Sequence, residues 1–355
     1  MKKKIFSLLL TAGLAVGLLA GCGSSKTGDT SASGSAGKTE NSASAEGTSS
    51  GDLKEVTFVL DWTPNTNHTG VYVADQLGYF KDAGLKVKIV QPPDDGAETL
   101  VGSGKADFGV SFQDTMSSLM AGKKKSVPIT AVAAVIQHNT SGIMSKKSTG
   151  IKSPKDMAGH SYATWDWDIE KAIIRNVVKA DGGDYSKIKM IPETIDDEVS
   201  ALKSGSIDCL WVYYAWAGIS AKVQNFDINY FAFRDINPVF DYYSPVIIAN
   251  DSFLKDHPDE AKAFLSAVSK GYTYAIKHPD KAADILCKAV PELNGDQVKA
   301  SQEYLADQYQ ADASRWGEFD AKRWNRFYQW VNKNKFYDSS IPDNTGFTNQ
   351  YLPEK

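Results

Sequence analysis

GLKVKIV (84–90) and ETLVGSGKADFGV (98–110) return at a constant offset of 101 residues as YSKIKMI (185–191) and VSALKSGSIDCLW (199–211). Six aligned pairs are identical: Lys86/Lys187, Lys88/Lys189, Asp95/Asp196, Ser103/Ser204, Gly104/Gly205 and Asp107/Asp208. Most of the others keep apolar character. Each copy reads as strand, acidic turn, short helix, Ser-Gly, Asp, strand. KVKIV alternates as a half-buried strand does, the helix ends on a glycine suited to a left-handed cap, and the aspartate precedes a continuous apolar run. A duplicated β-helix-β unit follows, one copy in each of two lobes. The expected fold class is α/β, with mostly parallel sheets flanked by helices and a ligand cleft between the lobes.

In open α/β sheets ligands bind beyond the carboxyl ends of strands, near helix amino termini. The residues that follow each expected strand are therefore the candidates. After 56–60 come Asp61, Trp62, Asn65, Asn67 and His68; after 106–110 come Ser111, Gln113 and Asp114. After 129–136 come Gln137, His138, Asn139 and Thr140. SYAT (161–164) runs into WDWDIE (165–170), and IDCLWV (207–212) into Tyr213, Tyr214 and Trp216. Polar and aromatic residues gather at the same edge every time, so LDWTPNTNHTG (60–70) is expected to form one wall of the cleft. YYSPVIIAN (242–250) reads as the strand returning from the second lobe. From 253 to 335 the periodicity is helical, with Pro258 in a first turn and WNRFYQW (324–330) as core rather than stacking aromatics. The expected lobes are 53–140 plus 245–340, and 141–244.

The amino terminus has Lys2–Lys4, an apolar run at 5–20 that is short for a membrane span, and Leu19-Ala20-Gly21-Cys22. This reads as a signal peptide over 1–21, and the last four residues resemble a bacterial lipobox, which implies a diacylglycerol anchor on Cys22. Residues 22–52 hold mostly Gly, Ser, Ala and Thr, too few apolar groups to offset ordering entropy, and read as a flexible tether. The rest is expected at the outer face of the cytoplasmic membrane. A net charge of -4 without a basic stripe argues against nucleic acid. Cys209 and Cys287 read as two buried free thiols, and the five histidines lack ligand spacing, so neither metal nor cofactor is expected.

The run LDWTPNTNHTGVYVADQLGYFKDAGLKV (60–87), with SFQDT (111–115), AAVIQHNTSGI (133–143) and VYYAWAG (212–218), resembles the thiamine-precursor (formylaminopyrimidine) family of solute-binding lipoproteins. The resemblance covers about 54–335. It implies a type II periplasmic binding protein fold, an ABC permease and ATPase as partners, a monomer, and a pyrimidine held between aromatic rings and hydrogen-bonded by carboxylates. Carried over, Asp61 accepts from an exocyclic amine, Trp62 stands beside it, and Glu170 fits a helix-start glutamate, though Trp165 and Trp167 replace the glycine-rich loop usual before it. Tyr72, four residues from His68 and so on the same helical face, and Trp216 are the expected stacking rings.

Each residue has a plainer role open to it. Asp61 would cap the next helix, Trp62 would be core, His68 a satisfied histidine and Glu170 a solvated first-turn acid. Tyr213 and Tyr214 point to opposite faces if both lie in the strand. The site residues carried forward are Asp61, Trp62, Asn65, His68, Tyr72, Ser111, Gln113, His138, Trp165, Glu170, Tyr214 and Trp216. A receptor requires no chemistry of them. Three alternatives stay open: another flat solute such as riboflavin; an enzyme, since pyrimidine synthases with a lysine-bound pyridoxal phosphate share the fold; or a structural or adhesive surface lipoprotein, which would have no cleft. Sulfonate and nitrate fit poorly, because the body has few arginines and only Arg234 falls near a strand end of the second lobe.

Overall fold

A computed structural model describes residues 53–121 and 127–354. The expected signal peptide, Cys22 and the tether to Asp52 lie outside the described residues. In chain order, the first region comprises β1 (Lys54–Val59), α1 (Thr69–Gln76), α2 (Tyr79–Asp82), β2 (Leu85–Val90), α3 (Ala97–Gly102), β3 (Phe108–Ser111), α4 (Gln113–Met120) and β4 (Ile129–Ala134). The second comprises β5 (Ser141–Lys146), β6 (Ser161–Thr164), α5 (Asp168–Ala180), β7 (Lys189–Pro192), α6 (Glu198–Ser204), β8 (Cys209–Tyr213), α7 (Ile219–Val223), β9 (Ile228–Ala232) and α8 (Phe233–Ile236). The chain then returns through β10 (Val246–Asn250) to α9 (Asp251–Asp256), α10 (Pro258–Lys277), α11 (Pro279–Ala289), α12 (Gly295–Ala306) and α13 (Ala321–Lys333).

The strands form two five-stranded sheets, ordered β2-β1-β3-β10-β4 and β7-β6-β8-β5-β9. The repeat is visible in them: β2, α3 and β3 of one sheet correspond to β7, α6 and β8 of the other. Two of its identical pairs do identical work. Asp107 Oδ2 accepts the Thr57 N–H at 2.7 Å, and Asp208 Oδ2 accepts the Ser161 N–H at 2.8 Å, each closing the amino end of a parallel strand pair. Gly104 and Gly205 both take positive φ, 73° and 74°, where a side chain would be strained.

Both sheets are mixed and, as expected, mostly parallel: in each, four of the five strands share one direction and one is reversed. Three neighbours in each run parallel, whereas β10 and β5 lie antiparallel to both of their partners. The two reversed strands are the ones beside the crossings between lobes, and no local pattern sets their direction. As expected, Cys209 is a buried free thiol; Cys287 is free but only half-buried.

The first sheet packs against α10 through Phe264, whose ring lies 4.0 Å from Phe108 and 5.4 Å from Phe80, centroid to centroid. Beside it α1 and α10 approach closely. A Cβ on Gly271 would stand 1.9 Å from the Gly70 carbonyl oxygen, and one on Gly70 would enter the Tyr272 ring. Gly271→Ala is expected to force these helices apart and lower stability by about 1–3 kcal/mol, read as a reduced urea midpoint. The contact fixes α1, and with it the turn that carries Asp61.

Candidate functional site

Beyond β1, Asn65 opens a short 3-10 turn by accepting the Asn67 N–H at 2.9 Å. Its own N–H donates to His68 Nδ1 at 3.1 Å, so the ring proton sits on Nε2 and donates to Asp61 Oδ1 at 2.7 Å. Asn65 and His68 therefore serve the turn. His68 is buried with both ring nitrogens used, and it orients Asp61. Oδ2 of Asp61 makes no hydrogen bond among the described residues, while Trp62 is 42% exposed at the rim.

At the end of β3, Ser111 Oγ donates to Glu98 Oε1 at 2.5 Å. Gln113 is consumed internally: its amide donates to the Trp324 carbonyl and its oxygen accepts the Tyr243 N–H. Asp114 Oδ2 accepts the Tyr242 hydroxyl at 3.1 Å, whereas Oδ1 is buried without a partner among the described residues. Burial raises Asp114 to about 6, and the charge of Glu98 adds to the rise. Burial also raises Glu98, against its bond from Ser111, with Asp61 adding. Tyr213 reaches this group from the other lobe, its ring stacked on Phe112 at 5.6 Å. Its hydroxyl is pushed well above the phenol range by burial first, then by the charges of Asp114 and Asp61.

The charge of Glu98 in α3 acts on Asp114 in α4, and that of Asp61, in the turn after β1, acts on Glu98. These carboxylates, the stacked Phe112–Tyr213 pair and Tyr242, which donates to Asp114, are the candidate chamber. Such a set suits the N–H donors of a planar base: acceptors fix orientation, and ring faces supply contact area. Among the described residues no group of three or more His, Cys, Asp or Glu side chains is disposed to hold a metal ion.

Tryptophans cluster around β6 and β8 of the second sheet. Trp165 lies 5.5 Å from Trp167 and 5.9 Å from Trp211, and the Trp211 Nε1 is buried without a partner among the described residues. Trp167 is 54% exposed. Glu170 is not a solvated acid. Oε1 accepts from Tyr162 at 2.7 Å and Oε2 from Thr164 at 2.8 Å, so it anchors the loop from inside the lobe, its carboxyl raised by burial.

Several expected site residues stand elsewhere. His138 bridges Asp241 at 2.8 Å and Asp312 at 3.1 Å where the chain crosses between lobes. Burial would raise Asp241, but the bond and charge of His138, with Arg323, hold it low. Tyr72 and Trp216 both pack on Ala283, Leu286, Val290 and Val298 of the α11–α12 region, and burial pushes the Tyr72 hydroxyl up to about 12. Tyr214 turns away from the chamber toward Tyr230 and Tyr304. Strand parity held the signal for Tyr213: Cys209 and Trp211 belong to one core cluster, Leu210 and Val212 to another. Glu98 had no such signal, since it lies in a helix after a turn.

The family model described as NMT1/THI5 like matches residues 65–282. The formylaminopyrimidine-binding protein of Halalkalibacterium halodurans is 26% identical over 307 residues, covering 83% of this chain and 90% of that protein. The 4-amino-5-hydroxymethyl-2-methylpyrimidine phosphate synthase of Legionella pneumophila is 24% identical over 317 residues, covering 84% and 92%. Among solved structures, the periplasmic aliphatic sulphonate binding protein SsuA of Escherichia coli superposes with a TM-score of 0.64 at 13% identity, covering 85% of this chain and 94% of that one. The shared architecture is the periplasmic binding protein fold, and with 65–282 matched the chain belongs to the NMT1/THI5 like family.

Proposed function

We propose that this chain is an extracytoplasmic solute-binding lipoprotein of an ABC importer that captures a thiamine-precursor pyrimidine of the formylaminopyrimidine kind and delivers it to a permease and its ATPase. The observation that carries the reading is Asp114: a buried carboxyl with one oxygen unpartnered among the described residues, within electrostatic reach of Glu98 and of Tyr213, whose ring stacks on Phe112. A buried acceptor without a donor is rare in a finished core, and a bound N–H group would complete it. The named binding protein of Halalkalibacterium halodurans supports the solute class. In this reading the signal peptide spans 1–21, Cys22 carries the lipid, 22–52 is the tether, and lobes 53–140 plus 245–340 and 141–244 close on the solute as a monomer.

The Legionella relative's name favours one competing reading, a pyrimidine-making enzyme. No lysine stands among the chamber residues named above to hold a pyridoxal group. Mass spectrometry of small molecules released from the purified full chain, with its absorbance spectrum, separates the two. A released aminopyrimidine and no Schiff-base band is the expected result. A covalent pyridoxal on lysine would replace the receptor reading with the enzyme, and released flavin would move the solute.

A further inference from the structure

We infer that the chain carries a second small-molecule site, separate from the carboxylate chamber, for a flat aromatic compound bearing one oxyanion group such as a carboxylate or phosphate. A cavity of about 380 Å³ opens where Tyr214 leaves β8, bounded by Thr140, Tyr214, Tyr230, Arg234, Asp235 and Tyr304. That volume suits a one- or two-ring molecule. Tyr213 and Tyr214 diverge at this point, one into the chamber and the other into the cavity, so the two spaces lie on opposite sides of the strand end.

The lining supplies each part of the recognition. Tyr214 lies 4.8 Å from Tyr230 and 5.4 Å from Tyr304, centroid to centroid, and the three tilted rings present aromatic faces and edges to an occupant. Tyr230 is tied by its hydroxyl to the Thr140 carbonyl at 2.7 Å, which fixes its ring. Thr140 is 2% exposed, and its Oγ1 is buried without a partner among the described residues. Among the described residues Arg234 makes a single ion pair, through Nε to Asp235 at 3.9 Å, and the Asp235 side chain is 77% exposed. The terminal nitrogens of the guanidinium fork are left for an oxyanion, which they match in two-pronged geometry. Burial raises the Tyr230 and Tyr304 hydroxyls, and the Arg234 charge opposes the rise in both, which puts the cation within reach of both rings.

Tyr304 comes from α12, which follows the returning strand, and the other lining residues come from the second sheet and its crossing. An occupant touches both lobes.

The test titrates the purified full chain calorimetrically with phenyl phosphate and benzoate, and with benzyl alcohol as the uncharged control. Saturable binding of at least one anion is expected at submillimolar concentration, with none of the alcohol. Arg234→Ala is expected to weaken it about tenfold or more, as loss of a charge-assisted contact does, and Thr140→Val severalfold. Asp114→Asn, in the chamber, is expected to leave it unchanged. Circular dichroism confirms that each variant is folded. Absence of saturable binding up to millimolar anion, equal binding of the alcohol, parent affinity in both cavity variants, or loss in Asp114→Asn would each overturn the second site. None of these outcomes bears on capture of a pyrimidine by the chamber.

Discussion

Asp61→Ala is expected to weaken capture of an aminopyrimidine roughly 10- to 100-fold, the loss of one charge-assisted hydrogen bond worth about 1.5–3 kcal/mol. The same change removes the acceptor of the His68 Nε2–H, which is buried and has no other acceptor among the described residues. An unsatisfied buried donor costs about 1–3 kcal/mol, so Asp61→Ala is also expected to be less stable. Asp61→Asn separates the two effects. Its carbonyl oxygen still accepts from His68, so stability returns toward the parent. Its amide then replaces the free carboxylate oxygen with a donor, so capture stays weak. Calorimetric titration and urea denaturation of the two variants read the two effects separately. Parent affinity in Asp61→Ala would remove this residue from the site.

Asp114→Asn is expected to act in opposite directions on stability and on capture. Burial raises the Asp114 carboxyl from 3.8 to about 6. A group held higher in the folded state binds its proton more tightly there. Its stabilising contribution is fully present below about pH 4, falls as pH rises from about 4 to 6, and is gone above that. A rise of about two pH units corresponds to about 3 kcal/mol as an upper figure. The asparagine has no ionisation to suppress, though its amide is a buried donor in a space that lacked one. The variant is expected to exceed the parent by about 1–3 kcal/mol at pH 8, and by much less at pH 4, in urea denaturation across that range. Capture is expected to fall about tenfold or more, because the unpartnered Oδ1 no longer offers a charged acceptor. A stability difference that does not change with pH would show that Asp114 ionises normally in the fold.

The architecture was legible because the repeat carries its own mechanics. Asp107 and Asp208 each close a strand pair, and Gly104 and Gly205 each end a helix, so both residue types recur at the same offset. Strand direction beside the crossings was not legible, since β5 and β10 are oriented by where the chain passes between lobes. The position of Asp61 beyond β1 followed from reading strand ends. The role of His68 did not, because it depends on Asn65 donating to one ring nitrogen, which fixes where the other points. Tyr72 and Trp216 illustrate a different limit: their aromatic faces are equally suited to a solute or to the α11–α12 core, and packing decided. Asp114 was visible at the end of β3, but its unpartnered oxygen is a property of burial among Tyr242 and its neighbours, which no spacing reveals.

The most direct measurement is a calorimetric titration of the purified full chain with formylaminopyrimidine, alongside hydroxymethylpyrimidine, thiamine and riboflavin. The account predicts one saturable site for a pyrimidine, weakened in both Asp61→Ala and Asp114→Asn, with proton release near pH 6 as Asp114 ionises on binding. Silence toward all four compounds, or binding that both variants retain at parent affinity, would contradict it.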